Sequence, residues 1–322
     1  MEPTTHKPSS KNPNWNESYY FIFYDKKNKI GGMSRIGFKP NKSEGMTFLF
    51  LFLPEGSVAA YNAYDEATEY PNRLKVEGMT HQPNADGSWK YTFDGALVVV
   101  EDSETLPRAR QEPNLIKDLV ETSLDLHFKP IHEEYEYSAH MTPESLELGK
   151  KSGDMHWEQI AIVNGTIRIE DTVYEITDCM AQRDHTHGIR DWTGVGNWFY
   201  FVVWFNENLA INPAVILMDD GRLSTGGFIF KDGKNTPLID ITIKNHEFRE
   251  DGVFPESTIL EITDADGNIH ILKGTPGDII PVPFEDADGN KSILVQAFGS
   301  FHLDDIDGGY GSYEVLRRLN RR

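Results

Sequence analysis

The sequence predicts an all-β protein whose antiparallel sheets close into barrels or sandwiches. Three observations predict it. Short apolar or alternating runs recur along almost the whole chain. Asx-Gly turn signals separate many of them, and helical periodicity is weak. The runs begin with Tyr19–Tyr24, which ends at a turn over Asp25–Lys29, and continue with Thr47–Leu53, which ends at Pro54-Glu55-Gly56. Trp89–Phe93 lies between Asp86-Gly87 and Asp94-Gly95, and Ala96–Val100 follows. Later runs are Gln159–Val163, Thr166–Glu170, Trp198–Phe205, Ala214–Met218, Gly226–Phe230, Ile239–Ile243, Ile259–Ile262, Ile269–Leu272 and Ser292–Phe298. Asn114–Leu124 is the one fair helical candidate, and it reads equally well as the start of a strand through Leu126 and Phe128.

The 322 residues suit two domains, and the polar connectors around 140–155 place the division. The expected layout is a disordered tail over 1–14, one β domain over 15–150 and a second over 151–322. Asp264-Ala265-Asp266-Gly267-Asn268 recurs as Asp286-Ala287-Asp288-Gly289-Asn290. Neither copy has the glycine and glutamate positions of an EF-hand loop, so both read as hairpin turns.

A net charge of -20 argues against nucleic acid and anionic membrane surfaces as partners. No run approaches the roughly 20 apolar residues that span a bilayer, so membrane insertion is not expected. The only cysteine, Cys179, rules out an internal disulfide and reads as a packed residue. The polar N-terminus lacks the apolar core of a signal peptide, which points to a cytoplasmic protein. A hydrophobic small molecule is the expected partner, with a homodimer left open. Arg317 to Arg322 reads as a solvated tail.

The densest chemistry lies in Gln182–Trp192, which holds two histidines, two aspartates and two arginines and is followed by the aromatic run from Trp198. Polar groups beside an aromatic wall are the usual make-up of a small-molecule site. On a strand, His185 and His187 share one face, with Asp184 and Thr186 on the other. The histidines then serve as acid or base, alongside Asp184, Asp191 and Glu158 as candidate catalytic groups. Alternatively, His185 and His187 hold a metal in a cupin-like site, with Asp191 as a carboxylate ligand. A bland reading has Arg183 and Arg190 forming structural ion pairs with Asp184 and Asp191. His156 and Glu158 share a face and are expected to look into the cavity of His185. Trp198, Tyr200, Val202 and Trp204 share a face as cavity wall or core. With Trp192, His156 and Glu314, these aromatics complete the candidate substrate-binding set. The chain lacks the Gly-x-Ser-x-Gly elbow and the Rossmann glycine fingerprint.

Asp184-His185-Thr186-His187-Gly188 followed by Arg190-Asp191-Trp192 resembles the Asp-His-x-Trp-Gly and Arg-Asp-Trp signature of the carotenoid 1,2-hydratase-like, or AttH-like, family. Trp15–Phe21, Tyr24-Asp25, His156–Gln159 and Gly309-Tyr310-Gly311 with Glu314 are similar to its bacterial members. The resemblance implies two lipocalin-like antiparallel β domains packed together, few short helices and a ligand cavity at the junction. It further implies hydration, dehydration or cyclisation of hydrophobic substrates without an organic cofactor. His185 matches the hydratase histidine, and His187 stands where the family has tryptophan. The expected Tyr-x-Asp is replaced by Trp204-Phe205-Asn206. The expectation is a cofactor-independent lyase or isomerase for a terpenoid- or steroid-like molecule. The alternatives are a lipocalin-like binding protein and the metal enzyme.

Overall fold

A computed structural model describes residues 4–319. It contains two compact units: residues up to 134 with 153–190, and residues 135–152 with 191 onward. The division differs from the expected cut near 150. The segment 153–190 supplies two long strands hydrogen-bonded to strands of the first unit, so pairing overrides the polar connector.

The first unit contains β1 (Trp15–Asp25), β2 (Ile30–Lys39), β3 (Glu44–Phe52), β4 (Val58–Asp65), β5 (Leu74–Val76), β6 (Met79–Pro83), β7 (Trp89–Val100) and β8 (Ile116–Pro130). The short β9 (Tyr135–Glu136) and α1 (Pro143–Gly149) belong to the second unit. Thr142 caps α1 by accepting from the Ser145 amide. The chain then returns to the first unit with β10 (Met155–Ile169) and β11 (Thr172–Ile189). Strand order is β4-β3-β2-β1-β11-β10-β8-β7-β6-β5, and β4, at one end of this path, also pairs with β7, third from the other end. Every reported pairing is antiparallel, in keeping with the predicted fold class.

Several expected breaks are absent. Asp94-Gly95 does not end a strand, because β7 pairs with β8 on both sides of it. Asn114–Leu124 is a 3-10 turn at Pro113–Leu115 followed by β8, so the strand reading holds and the helical one fails. Residues 4–14 form no helix or strand, yet they are bonded to the first sheet rather than loose.

The second unit is a closed barrel of β12 (Asn197–Asn206), β13 (Leu209–Leu217), β14 (Leu223–Lys231), β15 (Lys234–Phe248), β16 (Pro255–Asp264), β17 (Ile269–Glu285), β18 (Lys291–Leu303) and β19 (Ile306–Arg318). Its interior is filled by Phe199, Phe201, Val203, Ile211, Ile241 and Val295 among others. The two Asp-Ala-Asp-Gly-Asn copies make the β16–β17 and β17–β18 turns, as expected, and Gly267 and Gly289 adopt positive φ there. The Gly308 region lies in β19, which runs through Arg318, so Arg317 and Arg318 of the expected tail are strand. The tail's last three residues lie outside the described residues.

No helix among the described residues is long and apolar enough to cross a membrane.

Candidate functional site

The site of the first unit is built on three neighbouring strands. Trp15, Glu17, Tyr19, Phe21 and Phe23 alternate along one face of β1. Tyr19 pairs with His185 of β11, and His185 pairs with Trp157 of β10. Residues directly opposite on paired strands share a face, so Tyr19, His185 and Trp157 converge. His187 follows two residues on, as alternation predicts. Gly188 lets the strand end close to its neighbour: a Cβ there would lie 2.2 Å from the Asp154 amide.

A buried carboxylate sits at the centre. Glu17 is fully buried and accepts from the His185 Nε2 at 2.9 Å, from the His6 Nδ1 at 2.7 Å and from the Tyr70 hydroxyl. The His6 amide donates to both carboxylate oxygens, at 3.1 and 3.0 Å. Burial pushes the carboxyl up, but the hydrogen bond and charge of His185, with Tyr70 and the His6 amide, outweigh it and hold Glu17 below its ordinary range. Burial pushes His185 down. The pair is therefore carboxylate and neutral imidazole near neutrality. With Nε2–H given to Glu17, Nδ1 carries the basic lone pair.

Rings wall the pair. Tyr19 stacks on His185 at 4.4 Å, and Trp157 lies 5.3 Å from it. His187 lies 5.4 Å from Trp157 and is pushed down to about 4 by burial, so it too is neutral. Deeper in this unit, a cavity of about 20 Å³ is lined by Phe21, Tyr91, Phe93 and Phe128 among others. That is room for a water, not for a substrate.

The other face of β10 and β11 carries a second cluster. The His156 Nε2 meets Glu158 at 2.8 Å, and its Nδ1 meets the Thr186 hydroxyl at 2.6 Å. Gln182 donates to the other Glu158 oxygen at 2.5 Å. Asp184 is pushed up to about 6 by burial, with His156 and Glu158 acting on its charge. Burial also pushes His156 down to about 4 and Arg35 to about 9. His156, Glu158 and Asp184 are thus brought together, but not into the cavity of His185. Trp157, not Glu158, is the register partner of His185.

Other expectations are corrected. Arg183 does not pair with Asp184, since neighbouring strand residues face opposite ways. It pairs with Glu134, donates to Gln159 at 2.9 Å and lies over Trp89. Arg190 acts electrostatically on Asp184 and Arg35. Asp191 caps its own loop in the second unit, accepting from the Gly194 amide at 2.8 Å and from Thr193. Trp198, Tyr200, Val202 and Trp204 do share a face of β12, but Phe199, Phe201 and Val203 face the barrel interior, so the first set lies outside it. Trp192 stacks on Phe284 at 4.9 Å, beside Trp198. Glu314 accepts from Trp198 at 2.9 Å and from Gln296 at 2.5 Å. Cys179 is packed in the core, as expected.

His6, Glu17 and His185 present three metal-ligand atoms within 4.8 Å of one another, as do His156, Glu158 and Asp184. Among the described residues the expected His185–His187 pair is not part of such a group. Sequence reasoning missed Glu17, His6 and Tyr70 as site residues. Glu17 alone left a signal: a carboxylate amid four aromatic residues on one strand face.

The fold matches solved structures along nearly its full length. An AttH-like protein from Nitrosomonas europaea matches with a TM-score of 0.63 at 10% identity, covering 98% of this chain and 99% of that one. CghA bound to Sch210972 matches at 0.57 and 8% identity, covering 98% and 93%. Kievitone hydratase from Nectria haematococca matches at 0.53 and 12% identity, covering 95% and 90%. The resemblance to AttH-like proteins read from the sequence thus holds in the fold. No curated protein matches the chain. The model of the family described as a domain of unknown function, DUF7064, spans residues 2–318, and the chain belongs to that family.

Proposed function

We propose that the protein is a cofactor-independent lyase or isomerase acting on a hydrophobic, terpenoid- or steroid-like small molecule, with His185 as the base. The carrying observation is the buried Glu17 carboxylate hydrogen-bonded to His185 amid aromatic rings. Nδ1 of His185 removes a proton from a substrate carbon. Glu17 stabilises the imidazolium that results, and the aromatic wall disperses positive charge. In a dehydration, a C=C bond forms as the C–O bond breaks. His185 passes its proton to the departing hydroxide, which leaves as water. In an isomerisation, the same proton returns to another carbon. Solved structures sharing the fold include a hydratase, which supports this reaction class.

The test starts from mass spectrometry of small molecules that co-purify with the protein. Turnover is followed as the gain or loss of one water, or as a shift in retention at constant mass. His185→Ala is expected to lower kcat by about 10²–10⁴-fold with the circular dichroism spectrum unchanged. Chelator treatment is expected to leave kcat unchanged. Retained turnover in His185→Ala removes this residue from the mechanism, and loss with chelator removes cofactor independence.

A second reading is a lipocalin-like binding protein. It draws on the saturation of Glu17 by partners from its own chain. Recovery of the co-purified molecule unchanged after long incubation supports it.

A further inference from the structure

We propose that residues 4–6 occupy the substrate's place at the His185–Glu17 pair, and that the reacting end of the substrate is a flat, unsaturated group carrying a hydroxyl donor and a carbonyl acceptor. This rests on the proposed reaction site and narrows its substrate.

Three contacts carry the inference. The Thr4 carbonyl accepts from the Tyr19 hydroxyl. The His6 amide donates to both oxygens of Glu17. The His6 ring lies 4.2 Å from that of His187, 5.4 Å from that of His185 and 5.8 Å from Trp157, tilted only 10° from the last. With the His6 Nδ1 that also bonds Glu17 at 2.7 Å, these residues thus offer one acceptor, two donors and one flat ring to the groups that wall the base. A substrate that reaches His185 meets the same groups. Departure of the segment takes hydrogen bonds from a buried phenol and a buried carboxylate, and a substrate that offers the same groups restores them. The ring platform favours a flat, unsaturated body over a bulky aliphatic one.

The segment is built to leave. It belongs to no strand or helix. Beyond the site it is held by exposed contacts: Asn41 donates to the Ser10 and Asn12 carbonyls at 2.9 and 2.8 Å, and Ser9 reaches Asp154 at 3.5 Å. Segments of this kind open at small free-energy cost. The small cavity deeper in the unit offers no alternative place for a substrate. A ligand that must displace a closed segment binds more weakly by the fraction of time the site is open, about 100-fold if it is open 1% of the time.

The experiment measures binding, not turnover, so it fails separately from the reaction proposal. Acetylnaphthol, which is flat and carries a hydroxyl and a ketone, is titrated into the full-length chain by calorimetry. His6→Ala in the full-length chain is expected to bind it roughly tenfold tighter. Naphthol, which lacks the ketone, is expected to gain by the same factor but to bind His6→Ala more weakly than acetylnaphthol does. Equal or weaker binding by His6→Ala overturns the displaced-segment model. Equal affinities of the two probes for His6→Ala overturn the carbonyl requirement. A second measurement needs no variant: trypsin cleavage after Lys11, the first lysine of the chain not followed by proline, is expected to speed up as acetylnaphthol saturates the unaltered protein. Unchanged or slower cleavage also overturns the model.

Discussion

The two units are both antiparallel β structures, but they bury different things. The second unit's barrel is filled by phenylalanine and branched aliphatic side chains, and its buried Tyr313 hydroxyl is satisfied by Thr258. The first unit buries Glu17, Arg183 and His185 among Tyr19, Trp89 and Trp157. A buried charge is destabilising unless it is paired and hydrogen-bonded. The second unit's buried acid, Asp264, lies at the β16–β17 hairpin turn, where Asn268 and His270 hold it. The charged groups of the first unit are each partnered, Glu17 by His185, His6 and Tyr70, and Arg183 by Glu134 and Gln159. The contrast is the reason the proposed chemistry is assigned to the first unit and a mainly structural interior to the second.

The largest expected effect tests that assignment directly. Glu17→Gln keeps the shape and an acceptor for His185 but removes the charge that stabilises the imidazolium. A drop in kcat of about 10³–10⁴-fold is expected, by analogy with carboxylates that orient catalytic histidines. Stopped-flow or steady-state turnover measures it, with near-UV circular dichroism reporting the fold. A kcat within about threefold of the parent breaks the contrast between the units, because the buried charge would then be structural.

Much of this contrast was legible in the sequence, and its gaps have physical causes. Turn signals located most strands, since Gly and Asx residues mark the reversals at Gly267 and Gly289. Alternation correctly put His185 and His187 on one face. It misassigned Glu158, because parity within a strand says nothing about register between strands. Only the pairing of Trp157 with His185 settles which residues of β10 join the site. On β12 both parities are apolar, so Trp198 and Tyr200 could not be told from Phe199 and Phe201 as the interior set. Glu17 was readable as a lone acid in Trp15-x-Glu17-x-Tyr19-x-Phe21. His6 was not, because it sits in a polar stretch whose contacts are entirely non-local.

The next prediction concerns His81, a second sign that the first unit's interior departs from simple packing. His81 is 1% exposed, neither ring nitrogen has a hydrogen-bond partner, and burial pushes it down to about 3. It packs edge-on against Phe21 and Tyr91, at 4.6 and 4.9 Å. The unfolded chain takes up a proton on this imidazole near pH 6.5, and the folded protein does so only near pH 3. Stability therefore falls as pH drops through that window, by on the order of 3 kcal/mol at pH 4. His81→Phe keeps the ring contacts and removes the titration. Its Tm is expected to exceed the parent's at every pH from 6 to 4, with the gap widening toward acid. Parallel Tm curves for the two proteins contradict this account of His81.

The smallest expected effect lies in the second unit. Glu314 was a candidate substrate residue, and it holds Trp198 and Gln296 on the outer side of the barrel. Glu314→Gln retains an acceptor for the indole N–H, while its new amide N–H₂ faces the Gln296 donor unless Gln296 flips. A loss of about 1 kcal/mol or less in unfolding free energy is expected, with kcat and KM unchanged within twofold. Urea unfolding and turnover on one preparation measure both. Should kcat fall tenfold while stability holds, a carboxylate of the second unit would also act on the substrate. The chemistry would then draw on both units, and the division argued from their interiors would have to give way.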